Sequence, residues 1–338
     1  MKKYMMIAVA LLSVMQIMAF AKLKKDPVYR KARRNGAQAK IELHVADDDG
    51  TPVEYANVRA FLGMNFRPKG KWIEGTTDTN GVFVIEGKTC GDEIEVSVTK
   101  TGYYDSKVKY CYATMGAEHD VKDGKWQPYG ALEKIKLRRI LKPVALDSRG
   151  TLFDIPATNK WIAFDVIKMD WVRPHGTGEV NDLELKFEWD GLFQNISKFQ
   201  NLQVRFPNCV DGAYISKNAT YSNFMYSYTA QTNANYLNAF EFSMKRENGR
   251  YIANKLGDDS EMLCRLRSVT NKCGNVVSCS YARFRGLDFG GGVGKGNFYI
   301  FRDINPTPND SNLEDAEIAK LSRHFIRHCE PPGKGNLK

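Results

Sequence analysis

Between Gly50 and Ser106 the chain reads GTPVEYANVRAF, then TTDTNGVFVI, then DEIEVSVTKTGYYDS, three runs in which apolar and polar residues alternate. A period of two puts every second side chain on the same side of an extended backbone, so each run describes a strand with one buried face. The separators are turn formers. Ala46–Pro52 contains an Asp-Gly pair and a proline, and Thr77–Gly81 ends in Asn-Gly directly before Val82–Ile85. Lys100-Thr101-Gly102 joins Glu93–Val98 to Tyr103–Tyr112 in the same way. With Ala39–Val45 and Val53–Phe61 in front and Lys134–Ile140 behind, the pattern predicts a small all-β sandwich that ends at Leu141.

From Lys142 onward strand patterns recur at Trp161–Ile167, Leu183–Trp189, Leu202–Phe206, Leu237–Met244, Met262–Val269, Ser278–Phe284 and Asn297–Arg302. No helical period appears before Leu313. There Leu313, Ile318, Leu321, Phe325 and Ile326 are spaced as on a helix reaching Cys329, with Asp310 or Ser311 as its N-cap. Strands without intervening helices argue for another antiparallel sandwich or a distorted barrel, not an α/β enzyme fold. The expected fold class is all-β: two β-sandwich-like domains, 39–141 and 142–312, then a C-terminal helix over 313–330 and a disordered tail over 331–338.

Met1–Ala21 carries two lysines, an apolar run from Tyr4 to Phe20 and Ala19-Phe20-Ala21, the form of a secretory signal with an A-x-A cleavage site. Retained, so short a run would sit near the lower limit of a bilayer span and act as an anchor. The cleavage point has no cysteine, which argues against a lipoprotein. The expected location is exported: periplasmic, cell-surface or secreted.

The net charge of +10 first suggests nucleic acid, but its distribution excludes that partner. Lys22–Lys40 holds eight basic residues against the single Asp26, a net +7; removing these and the leader's Lys2 and Lys3 leaves about +1 for the folded remainder. A basic linker at 22–38 beside a membrane-crossing signal suits an anionic membrane surface, or is simply solvated.

Seven cysteines in an exported chain invite disulfides. If Glu93–Val98 and Tyr103–Tyr112 form a hairpin turning near Thr101, Cys90 and Cys111 lie nearly opposite each other, and closing that ~20-residue loop contributes about 3 kcal/mol. A second hairpin turning at Thr270–Asn275 brings Cys264 close to Cys279. Cys209, Cys273 and Cys329 remain without an assigned pairing. No C-x2-C spacing supports a metal site, and no cofactor is expected.

Three pieces carry a family resemblance: G-T-P-V-x-x-A-x-V at Gly50–Val58, T-D-T-N-G-V-F at Thr77–Phe83 and K-T-G-Y-Y at Lys100–Tyr104. In this order they resemble the carboxypeptidase regulatory-like domain, a transthyretin-like β-sandwich, from about Ala39 to about Leu141. The resemblance implies a non-catalytic accessory or adhesive module. The insert Phe66–Gly75 (FRPKGKWIEG) departs from that pattern and is a candidate binding loop. The rest of the chain is similar to uncharacterised exported bacterial proteins carrying D-W-V-x-P-x-G-x-G, N-D-L and N-P-T-P-N-D-x-N-L-E, here Asp170–Gly178, Asn181–Leu183 and Asn305–Glu314. It brings no activity with it.

The loop Asp170-Trp171-Val172-Arg173-Pro174-His175-Gly176 is the most functional-looking. Asp170, Trp171, Arg173 and His175 combine a carboxylate, an indole, a guanidinium and an imidazole, a set suited to sugars or carboxylates. The structural alternative is that Trp171 packs under the sheet while Asp170 caps the turn. Asp47-Asp48-Asp49 is either an acidic turn or a calcium ligand set without the EF-hand pattern. Tyr221, Phe224, Met225, Tyr226 and Tyr228 either form a stacking surface or fold over a core. Gly290–Gly296 lacks the spacing of a phosphate loop and precedes a strand. His324 and His328 share one face of the expected helix without an acidic partner, and five histidines in all leave little for a hydrolytic triad. The function expected is an exported, non-enzymatic protein that binds a glycan or protein ligand or builds the envelope. The alternative is an envelope glycan or peptide hydrolase with the second domain catalytic.

Overall fold

The computed structural model describes residues 27–64, 69–112, 120–189, 199–217, 222–247, 250–257, 259–292, 295–317 and 326–328. The chain divides into two units, one of Met1–Ile140, Thr220–Phe224 and Ala319–Lys338, the other of Leu141–Ala219 and Met225–Ile318. The first opens with a helix, α1 (Pro27–Asn35), and continues through β1 (Ala37–Ala46), β2 (Asn57–Met64), β3 (Lys69–Thr76), β4 (Val82–Thr89), β5 (Glu93–Thr99), β6 (Ser106–Cys111), β7 (Val121–Lys122), β8 (Lys125–Trp126) and β9 (Ala131–Lys136). The second holds β10 (Asp147–Asp154), β11 (Trp161–Asp165), β12 (Asp170–Trp171), β13 (Leu183–Trp189), β14 (Phe199–Arg205) and β15 (Gly212–Lys217). It continues with β16 (Ala239–Glu247), β17 (Arg250–Asn254), β18 (Ser260–Thr270), β19 (Val276–Gly292) and β20 (Lys295–Ile304). A last strand, β21 (Ile326–His328), belongs to the first unit.

The fold is all-β, as the alternation predicts. In the first unit β4, β1, β8 and β7 form one sheet, with β9 parallel to β1, and β21, β6, β5, β2 and β3 form the other. Every second residue of β1 points inward. Ile41, Leu43 and Val45 meet Val58, Ala60 and Leu62 of β2 and Val96 and Val98 of β5 in one core. The Asn80-Gly81 turn has a left-handed Gly81, and a Cβ there would lie 2.3 Å from the Val45 carbonyl oxygen.

The second unit stacks β10-β20-β19-β18-β15 on β12-β11-β13-β14-β16-β17. Leu185, Phe187, Leu202 and Val204 of one sheet share a core with Met262, Leu266, Phe298 and Ile300 of the other. A smaller cluster, Ala230, Leu263, Cys279, Tyr281 and Leu313, lies on the opposite face of the β18–β19 pair.

Several expectations are corrected. Part of the stretch read as a basic linker is ordered. α1 buries Ala32, and Tyr29 and Arg33 bond Asp92 at 3.2 and 2.7 Å. The insert at 66–75 is no loop over its described part; from Lys69 it is β3, paired along β2.

The helix expected from Leu313 is also absent from the described residues there. Asp310, Asn312 and Asp315 each accept the backbone N–H two residues on, at 3.0, 2.9 and 2.8 Å. Such local bonds compete with a helical ladder. Leu313 is instead buried and donates to the Tyr228 carbonyl, and the Glu314 carboxylate takes the N–H groups of Leu141 and Lys142. Farther on, 326–328 is strand, parallel to β6. The tail at 331–338, His324 and Cys329 lie outside the described residues.

Neither expected disulfide is present: Cys90, Cys111, Cys264 and Cys279 are all thiols. The register is the reason. Cys111 faces Glu93, and Cys264 faces Ala282, so each expected partner is three residues away. An odd offset also reverses the face of the sheet, and Cys264 packs in the main core while Cys279 packs in the smaller cluster. Burial holds the Cys264 thiol well above its ordinary range. Alkylation of the folded protein is therefore expected to modify the exposed Cys209 and Cys273 within minutes, and Cys264 only after unfolding. Peptide mass spectrometry after each step checks this; a Cys264–Cys279 cross-linked peptide would contradict it.

Candidate functional site

The loop that joins β12 to β13 is held by its own acidic residues. Asp170 accepts the N–H of Trp171 at 2.8 Å and both the N–H and hydroxyl of Thr177, at 2.7 and 2.6 Å. Partial burial raises the Asp170 pKa, but these donors outweigh it and hold the carboxyl below its ordinary value. Asp165 accepts from Lys168, Glu179 and Val180, and Asp182 from Val166. Arg267 of β18 reaches both buried carboxylates at 2.8 Å from a left-handed backbone conformation at a bulge. Arg302 of β20, fully buried, donates to the carbonyls of Val166 and Ile167.

The four loop residues singled out by sequence therefore divide. Trp171 is 4% exposed, ringed by Phe153, Phe164, Phe187 and Phe298, with its indole N–H on the Asp154 carbonyl at 3.1 Å. Asp170 caps the loop. Arg173 and His175 stand exposed, flanking a cis Pro174 peptide. The indole and carboxylate are not brought together with the guanidinium and imidazole as one recognition surface.

Other sequence candidates are also drawn into the framework. Asp47 is buried and accepts from Asp49, Thr51 and Arg139, the arrangement of a turn rather than a cation cradle. Phe224 stacks on Tyr104 at 4.9 Å within the first unit, and Tyr226 lies 4.6 Å beneath the Arg283 guanidinium within the second. No metal-holding group of three His, Cys, Asp or Glu occurs among the described residues.

The outer face of the second unit's six-stranded sheet presents a different set. Alternation turns Ile162, Phe164, Leu185, Phe187, Leu202 and Val204 inward, so Trp161, Glu184, Lys186, Glu188, Asn201, Gln203 and Arg205 face outward. Register sets Lys186 between Trp161 and Gln203, and Glu184 beside Arg205. The Arg205 guanidinium stacks 4.1 Å over the Trp161 ring while its Nε binds Glu184, and the indole is still 38% exposed. Lys186 pairs with Glu188 at 2.6 Å, which with Asn201 holds the Glu188 carboxyl below its ordinary value. The Asn201 amide N–H2 is directed at Glu241 and Glu188, at 2.8 and 3.4 Å; its buried Oδ1 meets no donor among the described residues. Sequence reading passed over these residues because each is an ordinary outward position of its strand. Only pairing across β11, β13 and β14 assembles them.

No protein-family model matches the chain, and no curated protein matches it. Solved structures similar to it include 3-chlorocatechol 1,2-dioxygenase from Rhodococcus opacus, at 12% identity over 31% of this chain and 61% of that one, TM-score 0.24. Hydroxyquinol 1,2-dioxygenase from Pseudomonas putida is 16% identical over 31% of this chain and 57% of that one, TM-score 0.23. The chain thus spans about three fifths of the dioxygenases' length. A DUF3823 family protein from Parabacteroides merdae is 9% identical over 79% of this chain and 96% of that one, TM-score 0.20. None of these likenesses is close enough to carry over a fold family, an activity or a ligand.

Proposed function

We propose that this chain is an exported binding protein of the cell envelope, not an enzyme, and that the outer face of the second unit's six-stranded sheet takes a glycan. The observation that carries the reading is Trp161 with its stacked, glutamate-locked Arg205, set beside a grid of amide and paired charged groups. A sugar ring has an apolar C–H face for an indole and a rim of hydroxyls that both donate and accept hydrogen bonds. Lys186, Glu188 and Gln203 offer donors and acceptors for that rim. The carboxylates of Asp165 and Asp170 spend their oxygens on backbone N–H groups, a structural rather than catalytic use. Export rests on the leader Met1–Ala21, and the basic residues from Lys22 to Arg34, apart from Arg33 on Asp92, meet anionic lipid in this reading. The carboxypeptidase regulatory-like resemblance of the first sandwich, an accessory module, supports it.

A glycan array and pull-down with the mature chain test the proposal. Binding of at least one glycan is expected, and Trp161→Ala should weaken it at least tenfold, the ratio that ~1.4 kcal/mol of lost contact produces. A chain that binds no glycan, or that hydrolyses an envelope polymer, overturns the reading; hydrolysis would favour the envelope hydrolase instead.

A further inference from the structure

We infer that the first unit carries a second glycan platform, built on Trp72; the inference extends the reading given for the second unit and rests on it for the ligand class. β2 and β3 pair so that Phe61 faces Trp72 and Arg59 faces Glu74. Their neighbours Val58, Ala60 and Leu62 fill the core, so this set points outward. The Arg59 guanidinium lies 3.9 Å over the Trp72 ring and its Nε binds Glu74 at 2.8 Å. Phe61 abuts the indole at 4.9 Å, and Trp72 remains 42% exposed.

Gly70 makes the arrangement possible. A Cβ at that position would lie 2.1 Å from the Phe61 ring, so any other residue would force the ring out of its place beside Trp72. The insert that departs from the carboxypeptidase regulatory-like pattern thus supplies the glycine, the indole and the glutamate.

The chemistry selects one occupant. Arg59 is paired with Glu74, so a phosphate, sulfate or nucleic acid would have to displace a carboxylate to reach it. Charged groups border the two rings, so they do not form the wide contiguous apolar patch that marks a docking site by its hydrophobicity. With Arg59 over one part of the ring, the exposed remainder of the indole fits the C–H face of a neutral sugar, whose hydroxyls meet the paired charges.

The same trio of exposed indole, stacked arginine and locking glutamate stands in the second unit, where Trp161, Glu184 and Arg205 come from three strands rather than two. Two sandwiches reach one geometry by different pairings. Shared descent of a hairpin does not account for that recurrence.

The test measures binding of soluble neutral polysaccharides (dextran, a mannan, a xyloglucan and a β-1,3-glucan), with heparin as the anionic control, to the full chain and its variants. Trp161→Ala is expected to keep measurable binding, and adding Trp72→Ala to remove it, while heparin stays unbound. Trp72→Phe should restore part of the binding, since the ring is kept, and circular dichroism should show every variant folded. If Trp161→Ala alone abolishes binding and Trp72→Ala changes nothing, the second platform is refuted and the first stands. If Trp72→Ala alone abolishes binding, this platform stands and the reading of the second unit falls. Heparin binding that depends on Trp72, or no polysaccharide bound by the wild type, overturns the inference.

Discussion

Asp303→Ala is expected to cost the second unit about 3–5 kcal/mol, the range for removing one member of a buried ion cluster. Asp303 is fully buried. It receives Arg283 at 2.9 Å, Arg285 at 2.7 Å and the Ser148 hydroxyl at 2.7 Å. Alanine leaves two guanidiniums in the interior. Glu261, at 3.7 Å from Arg283, can compensate one of them at most. Against a typical total of about 5–15 kcal/mol this loss is large, and at ~2–4 °C per kcal/mol it lowers that unit's calorimetric transition by roughly 6–20 °C.

Acid should produce the same loss in the wild type. Burial raises the Asp303 pKa, but Arg283, Arg285 and Ser148 outweigh it, so the folded pKa lies below the ordinary carboxylate value. A depressed folded pKa means the unfolded state takes up the proton first as pH falls. The contribution is complete above about pH 4, the unfolded value, and is lost as pH drops through the folded one. Urea titrations should show the wild-type advantage over Asp303→Ala at pH 7 shrinking below pH 4. A variant with an unchanged transition at neutral pH would show that the cluster does not hold the unit.

The second large effect is expected at Trp171. Trp171→Ala removes a ring packed against four phenylalanines together with its bond to the Asp154 carbonyl, for a loss of about 3–5 kcal/mol. His175→Ala, four residues on and exposed, should stay within about 0.5 kcal/mol. Parallel denaturation of the two variants checks the contrast. A Trp171→Ala protein of wild-type stability would mean that the indole does not hold this core.

These expectations rest on how far apart in sequence the partners are. The loop at 170–178 looks like a recognition site in one dimension because it concentrates four chemistries in six residues. In three dimensions its acidic neighbours are consumed by backbone donors and by Arg267, which reaches Asp182 across 85 residues and Asp165 across 102. Trp161, Glu184 and Arg205 go unnoticed for the converse reason, since each looks like a solvated strand position until register brings them side by side.

The disulfide error has the same origin. A turn placed near Thr101 sets facing residues only to within a few positions, and the observed pairing of Cys111 with Glu93 leaves Cys90 beyond the strand's partner range. β3 is not legible in the sequence because Lys69, Gly70 and Lys71 are poor strand formers, and pairing with β2 overrides that preference.

What the amino-acid order determined unaided was local: the all-β class, most strands, and turns such as Asn80-Gly81, because alternation and left-handed glycines act over a few bonds. Tertiary structure alone decided which strands pair, in what register, and which arginine meets which carboxylate or indole. Those choices join residues tens of positions apart, where only packing of the two sheets decides the neighbour.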